Sequence, residues 1–267
     1  MRIQRGTRVV ITGASRGIGR ALSAELAGRG ARLGLIARGK EGLEELAGEL
    51  PDTPDGPHVT AVADVSKWGQ TSRAIDRLAK NLGGIDLLVA NAGVLDYAPF
   101  LEQELEEAER MVHVNVFGTM YTLRAALPHM LRGPGGHVVV MSSAAGLRSF
   151  PWGAVYGATK AFDRGLAEAL RHELAGTGIS VTTVYPGEYG TTILQHQRDR
   201  LPAWRSNDEE RPVEELVEAI IEGVEDDARG VYAPPAVRVL GLSGIAPRLT
   251  DQILTRVRGR SAAPRCD

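Results

Sequence analysis

Residues 12–19 read TGASRGIG and directly follow the apolar run RVVI at residues 8–11. The segment admits two interpretations. Gly13 to Gly17 has the G-x-S-x-G spacing of the nucleophile elbow of serine hydrolases, with Ser15 as the nucleophile. The same glycines suit a turn in which a strand leads into a helix and the backbone closely approaches a dinucleotide phosphate.

Two features of the sequence favour the phosphate turn. A hydrolase elbow takes an oxyanion-hole amide from an earlier loop of the sheet, but only 12 residues precede Gly13. Gly19 has no role in an elbow, whereas a phosphate turn uses all three glycines, Gly13, Gly17 and Gly19. We therefore predict that Ser15 forms hydrogen bonds within the turn, and a serine hydrolase is the less favoured alternative.

Strand-like and helical segments alternate along most of the chain. Because the strands are apolar throughout, we expect both faces of a parallel sheet to be covered by helices. The sequence thus predicts an α/β fold, a single domain with a doubly wound parallel sheet of Rossmann type. The predicted strands are 8–12, 31–38, 58–65, 85–93, 135–146 and 179–187, with a further short strand at 230–235. The main predicted helices are 19–30, 41–50, 67–83, 102–132, 154–178 and 212–226.

Composition narrows the class of protein. The 267 residues carry a formal net charge of -2, so no basic field attracts nucleic acid. One cysteine, Cys266, allows neither an internal disulfide nor a cysteine metal site. The sequence shows no signal peptide and no apolar stretch long enough to span a membrane. We expect a cytoplasmic protein with no nucleic-acid partner, no integral membrane segment and no metal.

Several separated motifs resemble those of the short-chain dehydrogenase/reductase family. TGASRGIG is similar to the TGxxxGxG motif of that family, and YGATK at residues 156–160 to its YxxxK motif. The matches extend in order over about residues 7–192, and the remaining ones are Asp64-Val65, Asn91-Ala92-Gly93, Asn115, Ser143, and Pro186-Gly187 followed by Thr191.

Tyr156 and Lys160 are four residues apart, so they share one face of the predicted helix. A tyrosine pKa near 10 is too high for proton transfer at neutral pH, and a nearby ammonium lowers it. The resemblance implies that Tyr156 is the acid or base and that Lys160 lowers its pKa and binds the cofactor ribose. It further implies that Ser143 polarises the substrate carbonyl and that Asn115 holds a water in the path of proton return.

The resemblance also implies a nicotinamide cofactor bound by the loops that follow the strands. An acidic residue at the end of the second strand would bind the ribose hydroxyls of NAD, but Ala37 stands there, followed by Arg38. Arg38 and Arg16 favour the 2′-phosphate of NADP(H), with NAD(H) still possible. The predicted cofactor residues are Gly13, Ser15, Arg16, Gly17, Ile18, Gly19, Arg38, Asp64, Val65, Asn91, Ala92, Gly93, Tyr156, Lys160, Pro186, Gly187, Tyr189 and Thr191.

The second part of the chain is expected to bind the substrate. We divide the single domain into a cofactor half over about 1–150, a substrate loop over about 188–212 and a helical tail over about 213–260. The residues predicted to line the pocket are mostly apolar or aromatic, which favours an apolar ketone, aldehyde or lipid-like substrate. They are Tyr97, Ala144, Leu147, Phe150, Trp152, Tyr189 and residues 192–206, with Arg148, Glu188 and His196 as polar candidates nearby.

The leading hypothesis is an NADP(H)-dependent oxidoreductase that interconverts a ketone or aldehyde with an alcohol. One alternative is an alcohol or hydroxysteroid dehydrogenase that works oxidatively with NAD(P), because one site catalyses both directions. Another is an NADP(H)-binding sensor without catalysis, which would have no need of Tyr156. The resemblance also implies a homodimer or homotetramer formed through the fourth and fifth helices.

Overall fold

Seven parallel strands form the centre of the computed structural model, which describes residues 1–190 and 210–244. The sheet runs in the order β3-β2-β1-β4-β5-β6-β7, so the chain reverses its winding between β1 and β4. This confirms the predicted doubly wound sheet, and the short strand predicted at 230–235 is its seventh strand. The strands are β1 (Arg8–Thr12), β2 (Arg32–Ala37), β3 (Val59–Val62), β4 (Leu87–Ala90), β5 (Gly136–Met141), β6 (Ile179–Pro186) and β7 (Gly230–Ala233).

Helices cover both faces of this sheet. They are α1 (Gly17–Gly28), α2 (Lys40–Glu49), α3 (Trp68–Leu82), α4 (Leu105–Met111), α5 (Gly118–Met130), α6 (Ala144–Leu147), α7 (Ala154–Glu173) and α8 (Val213–Glu225).

Two of the predicted segments gain detail in the structure. The single helix expected over 102–132 is divided, because a π-helical turn at Val112–Phe117 separates α4 from α5. Within the tail over 213–260, the strand predicted at 230–235 is present as β7, which pairs with β6, and a 3-10 helix follows at Pro235–Gly244. Residues beyond 244 lie outside the described part of the chain.

Successive side chains of a strand point to opposite faces of the sheet, and this alternation divides the core into two layers. On β1, Val9 and Ile11 face the side that includes Leu22 of α1, whereas Val10 faces the side that includes Ile75 of α3. Each of these side chains is almost fully buried, which contributes roughly 1.5–3 kcal/mol per large aliphatic residue. The apolar strands therefore need helices on both faces, as the sequence predicted.

The parallel strands bring the loops that follow them to one edge of the sheet, which we call the carboxyl edge. In such sheets ligands bind at this edge, near the point where the winding reverses. Across residues 1–190 and 210–244, no helix has both the length and the apolar character needed to cross a membrane. No group of metal-ligating side chains occurs in the same ranges.

Candidate active site

A cavity of about 710 Å³ lies at the carboxyl edge of the sheet. The loops after β1 to β6 all contribute to its wall, and residues of α4, α7 and the π-helical turn complete it. Its lining is Gly13, Ser15–Ile18, Ala37–Gly39, Ala63–Val65, Asn91–Leu95, Tyr97, Arg110, Val114, Met141–Ser143, Tyr156, Lys160 and Pro186–Tyr189.

The glycine turn brings backbone unusually close to backbone. Gly13 and Gly17 have positive φ angles of 67° and 55°, which side-chain-bearing residues rarely adopt. A Cβ at Gly19 would lie 2.2 Å from the carbonyl oxygen of Gly13, so only glycine fits there. Helix α1 then begins at Gly17 without a side-chain cap among the described residues, which leaves its first N–H groups for a ligand.

The loop after β4 is hydrogen-bonded to this turn. The Asn91 side-chain amide donates to the carbonyl oxygens of Thr12 at 3.0 Å and Gly13 at 3.2 Å. The Thr12 hydroxyl in turn accepts from the backbone N–H groups of Asn91 and Ala92. These bonds fix the glycine turn against the loop that carries Gly93, so the two walls of the cavity keep their spacing.

Two arginines lie at the end of the cavity formed by the loops after β1 and β2. Arg16 and Arg38 both line it, and Ala37 ends β2 where an acid would have been expected for NAD. A Cβ at Gly42 would lie 3.3 Å from the Cβ of Ser15, so α2 packs closely on the glycine turn. The guanidinium groups of Arg16 and Arg38 are therefore both available to a ligand at this end of the cavity.

Asp64 lines the cavity after β3. Its carboxylate accepts from the backbone N–H of Ser66 at 3.0 Å and from the Ser66 hydroxyl at 2.7 Å. Its own backbone N–H donates to the Gln70 side chain. Asp64 is thus held by the loop that leads into α3, with its side chain at the cavity wall.

Two adjacent serines at the end of β5 have different surroundings. The Ser142 hydroxyl is buried and donates to the backbone carbonyl of Lys160 at 2.7 Å. Ser143 precedes α6, and its Oγ accepts from the backbone N–H of Ala145 at 3.2 Å. The Ser143 hydroxyl keeps its hydrogen for donation, so Ser143 rather than Ser142 can polarise a ligand oxygen.

Helix α7 places Tyr156 and Lys160 in the same wall of the cavity. The Tyr156 ring lies 6.3 Å from the ring of Tyr97, which is buried. Lys160 is 4% exposed, and its Nζ donates to the carbonyl oxygen of Met141 at 2.8 Å and to the carboxylate of Asp163 at 2.9 Å. A buried ammonium and a phenol thus share one helix face and one wall of the cavity.

Asn115 lies behind the cavity wall rather than in it. Its side-chain amide donates to the carbonyl oxygen of Val94 at 2.9 Å and to the Thr159 hydroxyl at 3.0 Å, and its oxygen accepts from the Val94 N–H at 2.8 Å. The π-helical turn positions it there. Both N–H groups are used, so a water could bond only to the Asn115 side-chain oxygen or backbone carbonyl.

Comparison with known proteins identifies the family. Residues 7–202 match the family model described as short chain dehydrogenase. The chain belongs to the short-chain dehydrogenase family. This short-chain dehydrogenase is 37% identical over 194 residues to an oxidoreductase of Listeria monocytogenes, covering 72% of this chain and 78% of that protein.

Solved structures give the same result for the whole fold. A short-chain dehydrogenase/reductase of Burkholderia phymatum, in complex with NAD, has a TM-score of 0.82 at 25% identity. A short-chain dehydrogenase of Burkholderia cenocepacia, in complex with NADP, has a TM-score of 0.79 at 29% identity. Each alignment covers 99% of this chain and 100% of the other. This short-chain dehydrogenase is thus an oxidoreductase, as its sequence motifs predicted.

Most of the predicted site residues of this short-chain dehydrogenase lie together in the one cavity. Gly19 and Asn115 do not line it, because Gly19 packs under the glycine turn and Asn115 lies behind Gly93. Thr191, residues 192–206 and His196 lie outside the described residues. Among the described residues no histidine lines the cavity, so Ser15 has no such general base and the hydrolase alternative has no support there.

The predicted substrate pocket needs correction. Tyr97 and Tyr189 line the cavity, but Ala144, Leu147 and Phe150 do not. These three residues lie in α6 or just after it, and they pack with Tyr185, Tyr232 and Val237, next to the 3-10 helix. Trp152 also lies outside the lining and packs against the cluster of Leu95 and Tyr97.

Sequence reasoning missed several residues at the substrate end of the cavity. Val94, Leu95 and Val114 supply apolar surface, and Arg110 of α4 reaches the lining with its guanidinium bonded to Glu107. Val94 and Leu95 directly follow the predicted Gly93. The sequence gives no local signal for Arg110 and Val114, because they reach the cavity through the packing of α4 and the π-helical turn on α7.

Proposed function

We propose that this short-chain dehydrogenase is an NADPH-dependent carbonyl reductase that interconverts a ketone or aldehyde with an alcohol. One observation carries the proposal. A single cavity joins the glycine turn and its two arginines at one end to Ser143, Tyr156 and Lys160 at the other. That arrangement suits a long dinucleotide whose reactive ring reaches the tyrosine.

The glycine turn fits a dinucleotide. The spaces that a Cβ would fill at Gly13 and Gly19 are occupied by backbone and by Asn91, so the turn presents a surface of backbone groups. The uncapped first turn of α1 supplies N–H donors to a diphosphate. Lys160 would bind the ribose hydroxyls, and the loop at Pro186–Gly187 would cover the nicotinamide. When bound, the cofactor supplies the hydride.

The residues of this chain handle the proton and the carbonyl oxygen. The Ser143 hydroxyl donates a hydrogen bond to that oxygen, which favours the negative charge that develops there. Tyr156 donates its proton to the oxygen while the carbonyl carbon receives the hydride, which gives the alcohol. The ammonium of Lys160 lowers the pKa of Tyr156 and so favours the tyrosinate left behind. In the oxidative direction the same groups act in reverse.

NADPH is the preferred cofactor in this proposal. Arg16 and Arg38 are both exposed to the cavity end where an adenine ribose would lie, and a 2′-phosphate accepts bidentate hydrogen bonds from guanidinium groups. Ala37 offers no carboxylate that would repel that phosphate.

An apolar substrate fits the other end. Val94, Leu95, Tyr97, Val114 and Tyr189 supply a mainly apolar and aromatic surface. Tyr189 is 3% exposed, and burial raises the pKa of its phenol, so it stays neutral there. Such a wall favours hydrophobic ketones and aldehydes over sugars.

The decisive experiment follows NADPH absorbance with a panel of ketones and aldehydes. We expect Tyr156→Phe to lose about a thousandfold in kcat while binding NADPH with unchanged affinity, since only the proton donor is removed. Tyr121→Phe is the matched control, because Tyr121 packs against Trp68 and Phe117 away from the cavity. Wild-type protein that binds NADPH tightly but turns over no substrate would favour the sensor alternative instead.

We also propose that the protein forms a homodimer or homotetramer. Phe100 and Leu101, in the turn before α4, are 68% and 67% exposed, and Leu105, the first residue of α4, is 75% exposed. An exposed apolar group of this size supports burial against a second copy of the chain. Light scattering after size exclusion would give the mass, and Leu105→Glu should shift it toward the monomer. A wild-type monomer would overturn this proposal.

A further inference from the structure

Helix α7 carries a third ionisable residue on the face that holds Tyr156 and Lys160. Asp163 follows Tyr156 by seven residues and Lys160 by three, so the three side chains share one helix face. Asp163 is 0% exposed, and its Oδ2 accepts from Lys160 Nζ at 2.9 Å.

Packing alone does not account for an acid at this position. Removing a carboxylate from water is costly, and burial raises the pKa of Asp163, an effect opposed by Lys160 and by the Thr119 hydroxyl. Its second oxygen, Oδ1, has no hydrogen-bond partner within residues 1–190 and 210–244. An apolar side chain would avoid both costs, so the ion pair of this carboxylate with Lys160 indicates its use.

The geometry around Lys160 shows what the carboxylate changes. An ammonium has three N–H donors, and Lys160 uses two of them on the Met141 carbonyl and the Asp163 carboxylate. Lys160 and Tyr156 line the cavity, whereas Asp163 does not. Asp163 therefore holds the ammonium from behind and leaves one N–H for the cavity. Without it, the long lysine side chain would be fixed by a single carbonyl.

We propose that Asp163 is a positioning residue that holds Lys160 where its ammonium acts on Tyr156. The arrangement follows the general logic by which a third group orients the residue that activates a catalytic side chain. This inference rests on the roles of Tyr156 and Lys160 in the proposed function. Asp163 itself touches neither substrate nor cofactor in this scheme.

The test titrates the Tyr156 phenol in protein without cofactor or substrate. With six tyrosines in the chain, ¹³Cζ-tyrosine NMR resolves the signals, and Tyr156→Phe assigns the one that matters. In Asp163→Ala the lysine is released, so we expect the Tyr156 midpoint to rise by about half a pH unit or more. Asp163→Asn keeps an acceptor oxygen but loses the negative charge, so its midpoint should stay at or below that of wild type.

These opposite directions separate positioning from a simple charge effect. If the carboxylate acted only through its charge, both variants would lower the midpoint, and an unchanged midpoint in Asp163→Ala would show a structural role alone. Either result overturns the inference. Glu168→Ala is the matched control, because Glu168 forms an exposed ion pair with Arg164 on the same helix at 2.9 Å and should leave the Tyr156 midpoint unchanged.

Turnover adds a second readout once a substrate is known. We expect kcat to fall about tenfold in Asp163→Ala and to recover to within about threefold of wild type in Asp163→Asn. A wild-type protein without turnover but with the expected NMR shifts would defeat the proposed function and leave the positioning role intact. A wild-type enzyme with turnover but no response to Asp163→Ala would defeat the positioning role alone.

Discussion

The two edges of the parallel sheet use polar groups in opposite ways. At the carboxyl edge, the glycine turn, Ser143 and the uncapped start of α1 keep donors available to the cavity. At the amino edge, polar groups bind one another: Arg8 donates to the Asp86 carboxylate through its Nε and its backbone N–H, both at 2.8 Å. At the carboxyl edge polar groups remain available to a ligand, whereas at the amino edge they are bonded within the protein.

His137 at the start of β5 shows the closed character of the amino edge. It is buried, and its Nε2 lies 2.7 Å from the Thr182 hydroxyl, which itself donates to the carbonyl oxygen of Ala228. The hydroxyl must therefore accept from the histidine N–H. From this contrast we expect substitutions at the carboxyl edge to change binding and catalysis, and substitutions at the amino edge to change stability alone.

The largest effect is expected at the glycine turn. Gly19→Ala places a Cβ where the Gly13 carbonyl oxygen lies, so the turn must open, and NADPH affinity should fall about a thousandfold, or about 4 kcal/mol. Calorimetric titration with NADPH measures it. Gly28→Ala is the matched control in the same helix, because nothing beyond the local helix backbone lies within 4 Å of its Cβ position. Equal NADPH affinity in the two variants would contradict the tight-turn account.

At the amino edge the expected effect is on stability. Burial lowers the pKa of His137 from 6.5 to about 4, so the folded state resists its protonation. The resulting stability is complete above about pH 6.5, and about 3 kcal/mol is lost as the pH falls to about 4. Urea unfolding across this range measures the loss.

The control for this effect is His137→Gln, which keeps a side-chain N–H but does not titrate. Its free energy of unfolding should depend less on pH than that of wild type over the same range. The NADPH affinity of the variant at neutral pH should be unchanged, because His137 lies outside the cavity lining. A weakened NADPH affinity would contradict the expectation that substitutions at the amino edge change stability alone.

A somewhat smaller effect is expected for the serine at the cavity. Ser143→Ala removes a donor to the developing oxyanion, so kcat should fall about a hundredfold with little change in NADPH affinity. Ser149→Ala is the control, because Ser149 is exposed and does not line the cavity. If kcat were retained in Ser143→Ala, another group would have to polarise the carbonyl.

The smallest of these effects concerns cofactor choice. Arg38→Ala should reduce the preference for NADPH over NADH about tenfold in kcat/KM, or about 1.4 kcal/mol, since one guanidinium contact to the phosphate is lost. Arg29→Ala serves as control, because Arg29 pairs with Glu25 on the outer face of α1. A wild-type enzyme with equal kcat/KM for NADH and NADPH would refute the preference itself.

The carboxyl edge could largely be predicted from sequence because its signals are local. A strand followed by closely spaced glycines defines the turn, and Gly13, Gly17 and Gly19 lie within one short stretch of the chain. Tyr156 and Lys160 were placed on one face by helix periodicity, and the structure has both in the cavity wall. In each case short sequence separation determines the geometry.

The substrate end could not be predicted because it depends on packing between distant segments. The π-helical turn at Val112–Phe117 follows no local pattern, yet it sets Asn115 behind Gly93 and brings Val114 into the cavity. Leu147 was expected in the pocket, but α6 directs it toward Tyr185 and Val237. Asp163 was missed because its ion pair with Lys160 becomes informative only once both side chains are known to be buried.

Strand β7 has a consequence for the order in which the protein becomes functional during synthesis. The N–H of Gly187, in the loop that forms one wall of the cavity, donates to the carbonyl oxygen of Ala233 at 2.7 Å. Translation delivers Gly187 more than forty residues before Ala233, as the numbering shows. A nascent chain therefore carries the glycine turn early but acquires this wall of the cavity only after β7 has left the ribosome. Tight nicotinamide binding would then distinguish finished chains from incomplete ones.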